Sequence, residues 1–464
     1  LVDKVGEMKK SRAYWNILKL RVNMTLKREY LHNYPVQAYI EPTLFCNLRC
    51  PACPTGLQLG LRPSSTIKWD LFKSAIDEIG DYVFSLYMYN WGEPLLHKQT
   101  PEMISYAKEK DMEIILSTNL SLNLTDDYID RLVRSGLDRL IVSLDGTTED
   151  TYAKYRLKGN FGLVRENMLR IQAAKKRLGL QTPHVVWQFL VFKHNEHQIA
   201  TALSEFREWG ADSIVTEGAI MPFAPYDEGL EPSTIPEFNM YDAGHHFKKE
   251  TAEHNKSGRP CSWLYGVLVL NPNGKVSPCC ASAGEQTDFG DYTGKGSFFD
   301  VWNNVTFRRA RSLFKDGGPS VVAEPHASKP ESTLVQIERK STSDEDVELL
   351  AGMAARLGDS LEKNELICHK CPIPWRQDDV HAIIAGEAHN LVQAYRRETG
   401  LRKKAWLLFA YLLVGAPNLR EFSLRRTSER VRYYNNWFLY LINPRNWATI
   451  GSKSTRRVTR YFHS

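Results

Sequence analysis

Residues 36–53 read VQAYIEPTLFCNLRCPAC, and the rest of the chain is organised around this stretch. Val36–Glu41 has the apolar, β-branched and aromatic character of a strand. The segment after it sets Cys46, Cys50 and Cys53 in a C-x3-C-x2-C loop. Three thiolates from one short loop can hold three corners of a cubane iron–sulfur cluster and leave the fourth iron without a protein ligand. An open iron can chelate a substrate or a cofactor. A closed electron carrier or a structural zinc site would have every position filled by protein. A zinc loop with a remote fourth ligand is the competing reading, although zinc loops favour C-x2-C pairs.

Downstream, strand and helix patterns alternate. Strands are predicted at Val36–Glu41, Tyr82–Tyr89, Glu113–Ser117, Arg139–Leu144, Val185–Phe192 and Asp212–Thr216. Helices are predicted at Trp69–Ile79, Pro101–Glu109, near Asp126–Ser135, and at Leu163–Arg177 and Glu196–Trp209. Successive β-then-α units imply a parallel sheet, because each helix supplies the crossover. An open barrel and a doubly wound sheet both fit this pattern. Ahead of it, residues 8–33 read as a basic amphipathic helix. After it, Pro222–Pro236 marks a composition change. A β-hairpin is predicted from Val267–Leu270 and Lys275–Ser277 around Asn271-Pro272-Asn273-Gly274. Residues 317–360, rich in Ser, Glu, Asp and Lys, read as a partly disordered insertion.

The 464 residues suffice for roughly three domains of ~150 residues. With 42% hydrophobic and 25% charged residues, the composition excludes a disordered chain. The longest apolar run, Ala405 to Ala416, falls short of the ~18 residues a membrane span needs. No N-terminal stretch resembles a secretion signal, so a cytoplasmic setting is expected. The net charge of +6 is uneven: residues 1–35 carry +5, residues 401–464 carry +11, and the middle carries −10. Basic ends around an acidic body suggest an acidic partner at the ends. The eight cysteines fall in tight groups separated by a long gap, which suits metal ligation in a reducing compartment better than a disulfide framework.

The segment from residue 36 to about 220 resembles the radical S-adenosylmethionine superfamily. Besides the cysteine loop, Trp91-Gly92-Glu93-Pro94 is similar to that family's GGEP-type motif, with Trp91 in place of the first glycine. Ser117-Thr118-Asn119 and Ser143-Leu144-Asp145-Gly146 are similar to further family segments at strand ends. Parallel α/β folds place their sites at the C-terminal ends of strands, where all of these fall. The resemblance implies a partial (β/α)6 TIM-like barrel. It implies a [4Fe-4S] cluster on Cys46, Cys50 and Cys53, and S-adenosylmethionine bound by Gly92, Glu93, Pro94, Ser117, Asn119, Ser143 and Asp145. Glu93 could accept from the methionine ammonium. It also implies reductive cleavage to a 5′-deoxyadenosyl radical that abstracts hydrogen from a substrate carbon.

Cys261, Cys279, Cys368 and Cys371, with Asn273-Gly274-Lys275-Val276 and Phe298–Asn303 between them, resemble the auxiliary-cluster region called SPASM, or its shortened Twitch form. Four thiolates imply one fully ligated auxiliary [4Fe-4S] cluster, suited to accept an electron from a substrate radical. A zinc site on the same four cysteines is the alternative. Cys280 is left over; it is either a hydrogen-atom donor or a packed small hydrophobe, or exchanges roles with Cys279. His97 reads as a loop residue, and His194 and His197 as solvated side chains at the barrel mouth. Tyr87, Tyr89 and Glu217 fall at barrel positions that could contact substrate or simply pack.

The expected organisation is a basic N-terminal segment at 1–35, a partial barrel at 36–255, an auxiliary-cluster domain at 256–376 with the 317–360 insertion, and a basic, aromatic-rich helical tail at 377–464. The leading expectation is an oxidoreductase acting on a small polar, sugar- or cyclitol-like substrate, with a peptide maturase as the alternative. A non-catalytic zinc protein with basic ends is the reading from a different class. Expected partners are a reductant such as flavodoxin or ferredoxin, the substrate, and a membrane surface touched peripherally by the tail; nucleic acid is disfavoured because no nucleic-acid module is visible.

Overall fold

The computed structural model describes residues 2–219, 230–239 and 260–315. By internal packing the chain divides into Leu1–Asn390 and Leu391–Ser464, and all described residues belong to the first unit. The insertion at 317–360, Cys368, Cys371 and the tail at 377–464 lie outside the described residues.

Six strands alternate with helices: β1 (Gln37–Ile40), β2 (Ser85–Tyr87), β3 (Glu113–Thr118), β4 (Arg139–Ser143), β5 (His184–Val191) and β6 (Ser213–Gly218). They pair in parallel in the spatial order β6-β5-β4-β3-β2-β1. This order decides between the two candidate folds. A doubly wound sheet reverses its strand order at a switch point, whereas strands laid down consecutively wind in one direction, with their right-handed crossovers covering one face. The fold is therefore a partial TIM-like barrel.

The alternation along the strands agrees. In β5, Val185, Trp187, Phe189 and Val191 are fully buried beneath the helices, whereas Val186, Gln188 and Leu190 are only partly covered. One face of the sheet packs, and the other lines an open lumen.

The covering helices are α2 (Trp69–Ile79), α3 (Thr100–Lys108), α4 (Asp126–Arg134), α5 (Glu149–Tyr155), α6 (Phe161–Leu178) and α7 (Ile199–Glu205). Their local chemistry is explicit. α4 starts where Thr125 accepts from the Tyr128 amide, carries Asp126 and Asp127 in its first turn and Arg131 and Arg134 in its last, and buries Tyr128, Ile129, Leu132 and Val133. α6 is capped by Asn160 and ends at Gly179, whose φ of 68° lies in the left-handed region that stops a helix. The sequence reading passed over α5, a single short helix directly after β4.

Two expectations are corrected. The N-terminal helix, α1, spans Val2–Thr25 and stops well short of residue 33. Its Ala13, Tyr14, Ile17 and Leu20 are buried. The chain after it is tied to the auxiliary region: Asn303 Oδ1 accepts from the Leu31 amide at 2.8 Å, and the Trp302 indole donates to the Asn33 carbonyl at 3.1 Å. The later part of α1 and the chain that follows it are thus packed into the first unit.

The predicted hairpin forms at the expected residues, β7 (Val267–Leu270) and β8 (Lys275–Ser277), followed by β9 (Gly290–Asp291). However, β7 pairs in parallel with β1, with Gln37 opposite Val267 and Ile40 opposite Leu270, so the order continues β1-β7-β8-β9. The division expected at 255/256 does not coincide with an edge of the sheet. At the hairpin turn, Gly274 has φ 87°, and a Cβ there would meet the Tyr292 carbonyl at 2.8 Å. Short helices α8 (Ser262–Gly266), α9 (Phe298–Trp302) and α10 (Val305–Ser312) complete this part.

Candidate active site

The cysteine loop leaves β1 at the C-terminal edge of the sheet. Cys50 is buried, Cys46 and Cys53 are partly buried, and none of the six described cysteines is in a disulfide. Burial pushes the Cys46 thiol up to about 12 and the Cys50 thiol to about 11, since the Leu48 amide and the Arg156 guanidinium offset only part of the desolvation of a thiolate. Metal ligation supplies that compensating charge, so soft buried sulfurs on one loop suit iron–sulfur chemistry. Among the described residues, no three His, Cys, Asp or Glu side chains converge as ligands of one ion. A four-iron cluster binds each thiolate through a different iron and needs no such convergence. Three soft sulfurs in a C-x3-C-x2-C loop thus fit a cluster with one open iron. A cavity of about 300 Å³ adjoins Cys46, with Arg49, Arg62, Trp91 and Ala283 in its wall.

The residues singled out from the sequence divide into two groups. Glu93 and Asp145 are buried and engaged by the chain itself. Glu93 accepts from the Thr118 hydroxyl at 2.7 Å and from the Asn119 and Leu95 amides at 2.8 and 3.0 Å. It caps the short 3-10 turn Pro94–Leu96 and joins the end of β2 to the end of β3. Burial raises its carboxyl to about 7. Asp145, fully buried, accepts from Arg156 Nε at 2.6 Å and from the Leu190 amide at 2.8 Å. The observed part of both carboxylates is thus to position neighbours.

Asn119, Ser117 and Ser143 form the second group. Asn119 extends its carboxamide toward the cluster loop, 3.9 Å from Cys46 Sγ and 3.0 Å from Asn47 Oδ1. Ser117 is partly exposed, and the Ser143 hydroxyl lies 3.4 Å from Gln188 Oε1. The Gln188 amide donates to Glu217 at 3.2 Å, so β4, β5 and β6 are linked across the lumen face.

Gly92 is a packing requirement of this edge. A Cβ there would lie 1.9 Å from the Thr43 carbonyl oxygen. The Trp91 and Gly92 amides both donate to Glu41 Oε1, at 2.5 and 2.6 Å, and the Glu93 amide donates to the Phe45 carbonyl at 2.8 Å. The GEP segment and the start of the cysteine loop are therefore clamped together.

Sequence reasoning missed Glu41 and Arg156. Glu41 is 1% exposed, and burial raises its carboxyl to about 7. A carboxylate closing an apolar strand was the available signal. Arg156, at the end of the overlooked α5, bonds Asp145, lies over Tyr155 at 4.9 Å, and approaches Cys50 Sγ at 4.0 Å.

Other expectations resolve as follows. His97 is buried, its Nδ1 accepting from the Gln99 amide at 3.1 Å, which makes it a loop brace. His194 is corrected: it is partly buried against Phe192 at 5.3 Å rather than solvated, and burial lowers its imidazolium to about 4. Tyr39, Tyr87 and Tyr89 form one aromatic group, with Tyr39 stacked on Tyr87 at 4.5 Å and Trp263 against Tyr39 at 5.2 Å. Cys261 precedes α8 and Cys279 follows β8. With the Asn90 amide turned to satisfy its neighbours, it donates to the Cys280 carbonyl at 3.3 Å, which places Cys280 beside the end of β2. No described helix is long and apolar enough to cross a membrane.

Comparison with known proteins gives two family matches: the radical SAM superfamily over residues 40–203, and an iron–sulfur cluster-binding domain, SPASM, over residues 261–324. An AdoMet-dependent heme synthase from Methanosarcina barkeri is 29% identical over 136 residues, covering 29% of this chain and 38% of the relative. An Fe-coproporphyrin III synthase from the same organism is covered over 34% of its length, so the chain spans little more than a third of these relatives. A PqqA peptide cyclase from Xanthomonas euvesicatoria is 22% identical over 58% of this chain and 74% of the relative. Among solved structures, Streptococcus suis SuiB bound to precursor peptide SuiA aligns at 13% identity and TM-score 0.46, covering 63% of this chain and 69% of that one. The two matched domains imply [4Fe-4S] clusters and S-adenosylmethionine. With the cysteine loop on the edge of a six-stranded parallel partial barrel and the second match over the hairpin beyond it, this chain carries a radical SAM domain followed by a SPASM-type auxiliary iron–sulfur domain.

Proposed function

We propose that the chain is an oxidoreductase that abstracts hydrogen from a small polar, sugar- or cyclitol-like molecule held in the barrel lumen. The observation that carries this reading is the three-cysteine loop at the rim of a partly open, polar and aromatic lumen. When bound, the cofactors supply a 5′-deoxyadenosyl radical and an auxiliary electron acceptor. Cys46, Cys50 and Cys53 would hold the first cluster, and Cys261, Cys279, Cys368 and Cys371 the second. Glu41 and Glu93 fix the rim segments against each other, while Ser117, Asn119 and Ser143 offer hydrogen-bonding groups to the cofactor. Tyr87 and Tyr89 wall the lumen and limit water at the reacting carbon. Cys280, after β8 and with its carbonyl beside Asn90, would return a hydrogen atom if the product is an epimer. A flavodoxin or ferredoxin would deliver the reducing electron.

The peptide cyclases, covered over three quarters of their length, favour a second reading in which the substrate is a peptide. Reduced holoenzyme is incubated with small-molecule and peptide fractions of host extract while S-adenosylmethionine consumption is followed. Stimulation by the small-molecule fraction is expected. Stimulation by the peptide fraction alone would replace the cyclitol reading with the peptide one.

A further inference from the structure

The lumen is walled by Tyr39 on β1, Tyr87 and Tyr89 at β2, Gln188 on β5 and Glu217 on β6. Three tyrosines lie within 6.0 Å of one another, centroid to centroid, and present ring faces and edges from one wall. Glu217 stands on the last strand of the half-barrel, exposed, and has among the described residues no ion pair; its recorded contact is the neutral Gln188 amide at 3.2 Å. On the same face, Arg139 Nε lies 3.0 Å from Glu113 Oε1. The pairing register sets Tyr39, Tyr87, Arg139, Gln188 and Glu217 on one face of the sheet, and the curvature of the partial barrel turns the β1–β2 wall toward β6 across the concavity.

A carboxylate without a counter-ion opposite electron-rich ring faces attracts a cation by both its charge and the ring quadrupoles. We infer that this lumen recognises a substrate bearing a protonated amine, seated between Glu217 and the Tyr87–Tyr89 wall. This rests on the lumen being the substrate site, as proposed above, and narrows the substrate class to amine-bearing molecules. The cation is assigned to the substrate rather than to S-adenosylmethionine because Glu217 stands on β6, two strands beyond the β2, β3 and β4 ends whose segments were singled out for that cofactor.

The test is calorimetric binding to cluster-reconstituted, S-adenosylmethionine-loaded full chain with two matched pairs of probes. One pair is 2-deoxystreptamine and scyllo-inositol, and the other is N-acetyl-lysine amide and N-acetyl-norleucine amide. In at least one pair the cation is expected to bind about tenfold tighter than its neutral partner, the size of one well-placed charge contact. Glu217→Gln is expected to reduce that ratio to about twofold and to leave S-adenosylmethionine affinity unchanged. Tyr89→Leu, which retains the carboxylate, is expected to weaken only the cationic member. Discrimination confined to the lysine pair would uphold the inference and remove the cyclitol reading. Equal binding within both pairs, or a Glu217→Gln variant that loses S-adenosylmethionine itself, would overturn the inference. Neither result depends on turnover, so failure of the radical reaction is seen separately.

Discussion

The rim of the half-barrel and its lumen use carboxylates in opposite ways. At the rim, Glu41, Glu93 and Asp145 are buried and hold backbone amides, a hydroxyl or a guanidinium. In the lumen, Glu217 is exposed and has one neutral amide as its recorded partner. Buried acids with their donors in place fix geometry, and an acid left open to the cavity can recognise a ligand. Under the proposed function, rigidity is concentrated at the rim that would hold the cofactors, and chemical selectivity in the lumen that would take the substrate.

The most severe way to break the rim is Gly92→Ala. The new Cβ would meet the Thr43 carbonyl at 1.9 Å, and backbone cannot step aside as a flexible side chain can. Destabilisation of more than about 4 kcal/mol in urea unfolding, with loss of S-adenosylmethionine binding, is expected. Asp145→Asn comes next. It leaves the nearly buried Arg156 guanidinium without its charge partner and should cost about 3–5 kcal/mol. A loss below about 1 kcal/mol would mean that the pair does not brace the rim.

A pH series sharpens the contrast. The Glu41 and Glu93 carboxyls stand near 7 in the fold against an ordinary 4.5. A raised acid binds more protons folded than unfolded, so its stabilising contribution is complete below 4.5 and is lost as pH rises through about 7. Each group is worth roughly 3 kcal/mol over that window. Metal-free protein should melt at a lower temperature at pH 8 than at pH 5, and Glu41→Gln should flatten that fall. An equally steep fall in the variant would remove Glu41 from this role. The smallest stability effect is expected from Glu217→Gln, within about 0.5 kcal/mol of the parent, because the side chain is exposed and its recorded contact is one neutral amide that glutamine can also meet. A larger loss would move Glu217 from the lumen group to the rim group.

The same contrast separates what could be read from the sequence. Hydrophobic periodicity and turn chemistry located α2 and the β7–β8 hairpin residue for residue, because both are set by local pattern. Cysteine spacing located the cluster loop for the same reason. The pairing of β7 with β1 was not legible, since it joins segments separated by more than 200 residues and leaves no periodic mark. Glu93 and Asp145 were found through motif likeness, but their burial and donors depend on Thr118, Asn119, Leu190 and Arg156 arriving from other elements. Arg156 was missed because α5 is short and no element was predicted between Leu144 and Leu163. Glu217 lies on a barrel strand as expected, yet that it has no ion pair among the described residues is a property of the folded lumen.

The central claim is that the Cys46–Cys53 loop supports reductive cleavage of S-adenosylmethionine. Anaerobically reconstituted, chemically reduced protein is given S-adenosylmethionine, and 5′-deoxyadenosine is quantified beside the Cys46→Ala, Cys50→Ala, Cys53→Ala variant. The account predicts 5′-deoxyadenosine from the parent chain and none from the triple variant. No 5′-deoxyadenosine from parent protein fully loaded with iron and sulfide would contradict it.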